Sequence, residues 1–320
     1  MVVTLHCLTP SDAVVKNSVI NSSLYYMGTL AIPVFFMASG YFVLNKRTIS
    51  YNYSFIRIKN ILIVVIAWVF LFSFIQLIFK HHFDFINQLL GSAFVGIKGE
   101  RFYHFWFFWA LMIMLLIAPL LWYLLQNRFK LYLILLIIMT MVCVGLDLMM
   151  HFGYTKIVQN TPQVFRLNTW IEYYMIGGLI GNNAFKKLTN FISQNFLFLT
   201  IVDVFLYIIY IIYALWNRNI IHWVYAEANY NNVLVIIIST LSLCLFSVAL
   251  FNSKIQRTIE FIIPATMGIY IIHPFFIGKF SKLFIFNSYP VLMIIAIFII
   301  CFIIVETALR IPVVNKLFKL

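Results

Sequence analysis

The sequence predicts an all-α fold, a polytopic bundle of transmembrane helices. Three observations indicate it: 64% of the 320 residues are hydrophobic, only 10% are charged, and the mean hydropathy is +1.00. A soluble core cannot bury that much apolar surface, and a helix needs about 20 apolar residues to cross a membrane. A β-barrel is not expected, because its strands would alternate apolar and polar residues. We therefore expect one transmembrane domain spanning residues 1–320.

Apolar windows of about 20 residues follow one another along the chain and predict about ten helices. A stub at 1–8 gives only ~12 Å of helix, less than the ~30 Å of the hydrocarbon layer. It is therefore either re-entrant or the end of a helix truncated at its start. The segment 83–97 is also too short to span and is predicted to lie at the interface. The full windows lie near 28–45, 58–79, 105–125, 131–150, 166–182, 195–216, 230–251, 259–279 and 288–308.

Basic residues indicate the orientation of these helices, because Lys and Arg are retained in cytoplasmic loops. The strongest signal is segment 45–59, and it places both chain ends in the cytoplasm if residues before Met1 complete the stub. The net charge of +13 does not indicate nucleic-acid binding, because the basic residues are spread over the loops.

Ionisable side chains inside the apolar windows are candidate functional residues, because a charge in hydrocarbon is costly. On this topology, His6, His104, Asp147, Glu172 and His273 all fall toward the outer side of the membrane. Their common depth predicts a hydrated cavity that opens outward.

Each of these residues also has a purely structural interpretation. His104 is expected to lie at the interface beside an aromatic belt, and Asp147 to snorkel or cap a helix end. His273 could bond a carbonyl that Pro274 leaves free. Glu172 lies near a span boundary that the sequence does not fix.

Two stretches suggest a path for a ligand. In "AIPVFFMASGYFVLN", Ser39 and Gly40 interrupt an apolar helix, which fits either close helix packing or a thin wall beside a channel. The stretch "NKRTISYNYSFIRIKN" either anchors the topology or neutralises the phosphates of a nucleotide cofactor. Its basic residues are Lys46, Arg47, Arg57 and Lys59.

The four cysteines are predicted to be free packing thiols. They form no CxxC pair and sit in or beside apolar runs, so neither a metal site nor a disulfide framework is expected. They are Cys7, Cys143, Cys244 and Cys301.

Taken together, these stretches resemble the membrane acyltransferase-3 family of sugar O-acetyltransferases. "MVVTLH" is similar to the end of the family's first helix, and "PVFFMASGYF" to its Pro-x-Phe-Phe-x-x-Ser-Gly-Phe/Tyr helix. "FIRIKN" resembles the basic start of the next helix, where Arg57 matches and Lys59 is near. "YHFWFFWALMIMLLIAPLL", "YYMIGGLIG" and "MGIYIIHPFFI" resemble later segments, so nearly the whole chain is covered. The pattern is most similar to members that O-acetylate enterobacterial common antigen and other surface polysaccharides.

The resemblance implies a multi-pass enzyme of the bacterial inner (plasma) membrane. It would move an acetyl group from cytoplasmic acetyl-CoA to a hydroxyl of a lipid-linked or surface glycan. The family's essential first-helix histidine falls on His6, while the arginine that precedes it in the family would fall before Met1. Glu172 could orient the imidazole as in a catalytic triad, with His273 as a further catalytic residue. The CoA phosphates would be held by Arg57, Lys59, Arg47 and Lys46, with Ser39 beside the channel.

The chemistry leaves two routes open. His6 acts as a general base toward the sugar hydroxyl, which is typically worth ~10²–10⁴-fold in rate, or His6 is itself acetylated and relays the group. A transporter of polysaccharide or lipid-linked sugar is the rival hypothesis, although the sequence lacks the internal symmetry typical of transporters. An inactive, truncated paralogue is the third.

Overall fold

The computed structural model describes residues 1–9, 12–94, 101–250, 253–283 and 289–318, and every regular element in them is helical. The all-α prediction is therefore confirmed. Short 3-10 turns join several of the helices. In chain order these are α1 Val2–Cys7, α2 Ala13–Lys16, α3 Val19–Met27, α4 Ala31–Leu44, α5 Tyr51–Lys80, α6 Phe85–Ala93, α7 Trp106–Asn127, α8 Phe129–His151, α9 Thr155–Gln159, α10 Leu167–Ile180, α11 Lys186–Gln194, α12 Phe196–Ile220, α13 Val233–Ala249, α14 Ser253–Phe280 and α15 Pro290–Leu309.

Seven segments of the described chain are long and apolar enough to cross a membrane. The first begins at Val19, nine residues earlier than predicted, because a 3-10 turn at Gly28–Leu30 continues α3 into α4. Two of the predicted windows are shorter than a full span. With 14 and 17 residues, α10 and α13 reach only about 21 and 25 Å.

The short α10 is enclosed by other helices, and most of its residues from Thr169 to Gly178 are buried. Its length therefore does not have to match the thickness of the hydrocarbon layer. In contrast, α12 exposes large apolar side chains along most of its length, as expected of a surface that contacts lipid.

The start of α5 corrects a predicted boundary. Ser50 caps this helix by accepting a hydrogen bond from the Tyr53 amide at 3.2 Å. The helix thus begins seven residues before the predicted position 58, so Arg57 as well as Lys59 lies on it.

Both segments that are too short to span pack against the bundle. The stub forms α1, which packs on α14 and α15. Residues 85–93 of the predicted interfacial segment form α6, which packs on α5, and residues 95–97 lie outside the described part. All four cysteines are free and buried, as predicted.

The crossing of α4 and α10 is the closest helix contact of the core. A Cβ placed on Gly40 would lie 1.9 Å from the Tyr174 carbonyl oxygen, and one on Gly177 would lie 1.8 Å from that of Met37. Only glycine leaves room for two backbones to approach this closely. The Asn45 amide also donates to the Gly178 carbonyl at 2.9 Å, which ties the end of α4 to α10.

We predict that Gly40→Ala and Gly177→Ala each destabilise the protein. The added methyl group would meet backbone rather than a flexible side chain, so the helices must separate, at a cost of at least ~1–3 kcal/mol. Gly145 on α8 is the matched control, because a Cβ there meets nothing within 4 Å. Thermal unfolding in detergent should show a lower Tm for the first two variants than for Gly145→Ala. Equal Tm values for all three would contradict this role of the crossing.

Candidate functional site

A cavity of about 580 Å³ opens among α1, the start of α7 and two loops around 159–166 and 225–230. These loops fall on the predicted outer side of the membrane. Polar and aromatic side chains share the lining, a composition suited to a polar organic ligand. The lining includes His6, Tyr103, Trp106, Gln163, Arg166 and Glu227.

His6 belongs to a cluster of three histidines at the base of this cavity. Its Nδ1 atom lies 2.9 Å from Nε2 of His273, which α14 brings against α1. Nδ1 of His273 lies 3.0 Å from the carbonyl oxygen of Ile269, one turn earlier on the same helix. The third member is His104, whose ring centroid lies 6.2 Å from that of His6 and 5.7 Å from that of His273.

These contacts assign the ring protons. The Ile269 carbonyl can only accept, so Nδ1 of His273 carries a proton and donates to it. A neutral imidazole has one N–H, so Nε2 of His273 accepts, and Nδ1 of His6 is the donor. Nε2 of His6 then holds a lone pair on the ring edge away from His273. His6 is the histidine of the cluster that lines the cavity, so this lone pair is placed to take a proton or attack a carbonyl.

His104 lies at the start of the membrane span Tyr103–Asn127, as predicted, but its side chain faces the interior of the bundle. Its side chain is 1% exposed, and its Nε2 donates to the Ile271 carbonyl at 3.3 Å. The Tyr270 hydroxyl donates to the His104 carbonyl, which holds the start of α7 against α14. The sequence suggested the interface because aromatic residues surround this histidine, but these aromatics pack inside the bundle.

The structure does not bring Glu172 to the histidines. Its carboxyl is buried and interacts with Thr140 and Cys143 of α8, and none of its described contacts is with a histidine. A second histidine, His273, takes the place that a triad assigns to a carboxylate. Asp147 is likewise distant from the cavity lining: it is buried and accepts a hydrogen bond from Asn232 at 3.0 Å. Of the five ionisable residues expected to share one cavity, His6 alone lines it.

A second cavity, of about 250 Å³, lies toward the predicted cytoplasmic end of α4 and α5. Arg57, Ser39 and Tyr53 line it together with apolar side chains, and Nε of Arg57 donates to the Tyr53 hydroxyl at 3.4 Å. The Lys46 ammonium lies 4.5 Å from the centroid of the Tyr53 ring, beside the same cavity.

Of the four basic residues assigned to the cofactor, Arg57 lines this cavity, and the exposed Lys46, Arg47 and Lys59 do not. Lys59 lies two residues after Arg57, and two residues on a helix are about 200° apart. A helix therefore cannot direct both side chains into one cavity.

Aromatic side chains separate the two cavities. On α4, Ile32 lines the first cavity and Phe35 the second, and on α7 Trp106 and Leu111 have the corresponding positions. Three residues on α4 and five on α7 therefore separate the two cavities, a distance of about 5–8 Å along the helix axes at 1.5 Å per residue. Phe107 belongs to this stretch of α7, and its ring centroid lies 5.7 Å from that of Phe35.

The loop residues of the outer cavity were not found from the sequence. Arg166 donates three hydrogen bonds to carbonyls of Val158, Thr161 and Glu227, and Gln163 donates to the Glu227 carboxylate at 2.6 Å. Burial raises the pKa of the Glu227 carboxyl, and the charge of Arg166 opposes that shift. In the sequence these residues look like ordinary polar loop residues, because 64 positions separate Gln163 from Glu227.

Comparison with protein-family models matches residues 1–306 to the membrane acyltransferase-3 family, whose model is described as an acyltransferase domain. No curated protein and no solved structure matches the chain.

We predict that His6 and His273 both carry their proton on Nδ1. Protein labelled with ¹⁵N-histidine in lipid should give, by solid-state NMR, two Nδ1–H tautomers that report the hydrogen bonds described above. The signals are assigned by their loss in His6→Ala and His273→Ala. An Nε2–H tautomer of His6 would contradict the assignment, because the lone pair would then face His273 instead of the cavity.

Proposed function

Because the chain belongs to the membrane acyltransferase-3 family, we propose that this acyltransferase moves an acetyl group from acetyl-CoA to a glycan hydroxyl. The observation that supports the proposal most strongly is that His6 lines the polar outer cavity while its Nδ1 is held by His273, which leaves the lone pair of its Nε2 without a described partner. The acceptor would be a cell-surface or lipid-linked glycan that enters this cavity. The protein would lie in a bacterial inner membrane, surrounded by lipid.

In the direct route, His6 acts as the general base. Nε2 takes the proton of the sugar hydroxyl as its oxygen attacks the thioester carbonyl, and the same proton then passes to the thiolate that leaves. The bond from Nδ1 of His6 to His273 stabilises the positive charge that develops on the imidazole. His273 thus orients the base and supports its charge, the two roles of a triad carboxylate.

In the relay route, Nε2 of His6 attacks the thioester first, and the C–S bond breaks to release the CoA thiolate. The sugar oxygen then attacks the acetyl carbonyl, the C–N bond to His6 breaks, and the hydroxyl proton passes to the thiolate. The same lone pair serves both routes, so the hydrogen bond to His273 is required in either case.

The residues of the inner cavity fit the donor. Acetyl-CoA supplies an acetyl group activated as a thioester and carries several phosphates. Arg57 and Lys46 would neutralise phosphate charge at the cytoplasmic mouth, where Arg57 offers a planar fork of N–H donors. Ser39 and the apolar wall would accommodate the thin pantetheine arm. The arm must then pass Phe35 and Phe107 to bring the thioester to His6.

We predict that His6→Ala lowers acetyl transfer by ~10²–10⁴-fold, because the reaction loses its base or nucleophile. His273→Ala should lower kcat less, because Nε2 of His6 remains but its ring is no longer oriented. His82→Ala is the matched control, since His82 is exposed. The assay follows radiolabel from acetyl-CoA to membrane glycolipid. Full transfer by His6→Ala would refute the mechanism, and movement of glycan without label would favour a transporter.

We predict that Arg57→Glu raises the KM for acetyl-CoA, because the variant places a negative charge where phosphate would bind. Lys59→Glu makes the same charge change on the same helix but outside the cavity. Steady-state kinetics with varied acetyl-CoA should show a KM increase of at least ~10-fold for Arg57→Glu and little change for Lys59→Glu. Equal effects of the two variants on the KM would contradict the assignment of the inner cavity as the acetyl-CoA site.

A further inference from the structure

We propose that Glu227 forms a sugar subsite in the outer cavity, where its carboxylate accepts hydrogen bonds from hydroxyls of a neutral sugar and disfavours anionic sugars such as uronic acids. This inference rests on the proposed function, since it names the chemical class of the acceptor.

The position of Glu227 supports the subsite. The residue lies in the 3-10 turn Ala226–Asn229, and it lines the same cavity as His6. A glycan that presents one hydroxyl to His6 would therefore place a neighbouring part of the sugar within the region of Glu227. Trp106, Tyr103 and Tyr225 line this cavity as well and offer apolar ring surface to the sugar.

The hydrogen bonds of Glu227 leave part of its carboxylate available. Gln163 donates to Oε2, and no hydrogen bond to Oε1 is formed within the described part of the chain. Arg166 balances part of the charge, while three of its five N–H groups donate to backbone carbonyls of Val158, Thr161 and Glu227 rather than to the carboxylate. The carboxylate is thus held in place without being closed off by an ion pair. An acceptor-only group of this kind suits sugar hydroxyls, which can donate.

The turn that carries Glu227 is held from several sides. The Ala226 amide donates to the Tyr25 hydroxyl at 2.8 Å, and the Tyr26 hydroxyl donates to the Val224 carbonyl at 2.8 Å. Asn217 donates to the Asn229 side chain at 3.2 Å. A binding group on a fixed backbone loses little entropy when the ligand arrives. The arrangement favours a preformed subsite over a loop that orders on binding.

Charge decides the selectivity. A sugar carboxylate in this cavity would meet Glu227 in partly desolvated surroundings, and a like-charge contact costs affinity. The charge of Arg166 offsets part of this penalty, but its three described hydrogen bonds already go to backbone carbonyls, whereas Glu227 keeps one oxygen without a described partner to meet the sugar. Neutral hexoses and N-acetylated amino sugars avoid the penalty and gain a charge-assisted hydrogen bond.

The test measures binding of methyl glucoside and methyl glucuronide to protein in lipid nanodiscs by saturation-transfer NMR, with acetyl-CoA absent. Wild-type protein should bind the glucoside at least ~10-fold more tightly than the glucuronide. Glu227→Gln retains an acceptor for Gln163 but loses the charge. It should weaken glucoside binding by about 10-fold and narrow or reverse the preference. Glu227→Asp keeps the charge and should recover part of the preference for the glucoside. Glu260→Gln, which removes an exposed carboxylate on α14, should match wild-type protein.

Unchanged affinity and preference in Glu227→Gln would overturn the proposal, as would failure of both probes to bind wild-type protein. Equal loss of both sugars together with a lower Tm would show a structural role and would also overturn it. Radiolabelled acetyl transfer is measured separately on the same preparations. If wild-type protein binds the glucoside selectively but transfers no acetyl group, the proposed function fails while the sugar subsite stands.

Discussion

The site depends on the hydrogen bond between His6 and His273. It joins the short α1 to α14 and fixes which nitrogen of His6 carries the proton. Without it, His6 would have no described side-chain hydrogen bond, and its ring could turn either nitrogen toward the cavity. The bond is possible because Nδ1 of His273 is already committed to the Ile269 carbonyl. The Ile269 carbonyl thus fixes the proton of His273, and His273 in turn fixes the proton of His6, which leaves a lone pair on a residue that lines the polar cavity.

The helix packing supplies the two routes by which reactants would reach that lone pair. The close crossing of Gly40 and Gly177 holds α4 against α10, so that α4 forms a wall of both cavities. Polar loops surround the outer cavity, whereas apolar side chains with Arg57 surround the inner one. The aromatic partition at Phe35 and Phe107 separates them by a few residues of helix. A thin thioester arm is the kind of ligand that such a narrow separation could admit.

The sequence predicted the helical class and the free cysteines, because long apolar runs and isolated thiols are local patterns. It also singled out His6 and His273 as imidazoles within apolar segments, and the structure places the two rings in contact. It predicted α10 as a span at 166–182, and the helix is shorter still at 14 residues, since burial inside the bundle relaxes the length that lipid would impose. It assigned Glu172 to the wrong partner, because depth along the membrane says nothing about which side of a helix faces the site. Similarly, the sequence grouped Lys59 with Arg57 because the two are close along the chain. On α5 their side chains point to different sides, and Arg57 is the one that lines the cavity. The sequence did not identify Glu227 as a site residue, because its partners Gln163 and Arg166 are distant along the chain.

The most direct test of the account uses proteoliposomes with radiolabelled acetyl-CoA outside and the glycan acceptor enclosed within. If the two cavities serve opposite sides of the membrane and meet at His6, label should appear on the enclosed acceptor, and vesicles with His6→Ala should give none. Label found only on acceptor that shares the compartment of acetyl-CoA would contradict the transmembrane arrangement. Passage of unlabelled acceptor across the membrane by wild-type protein would instead show transport without transfer.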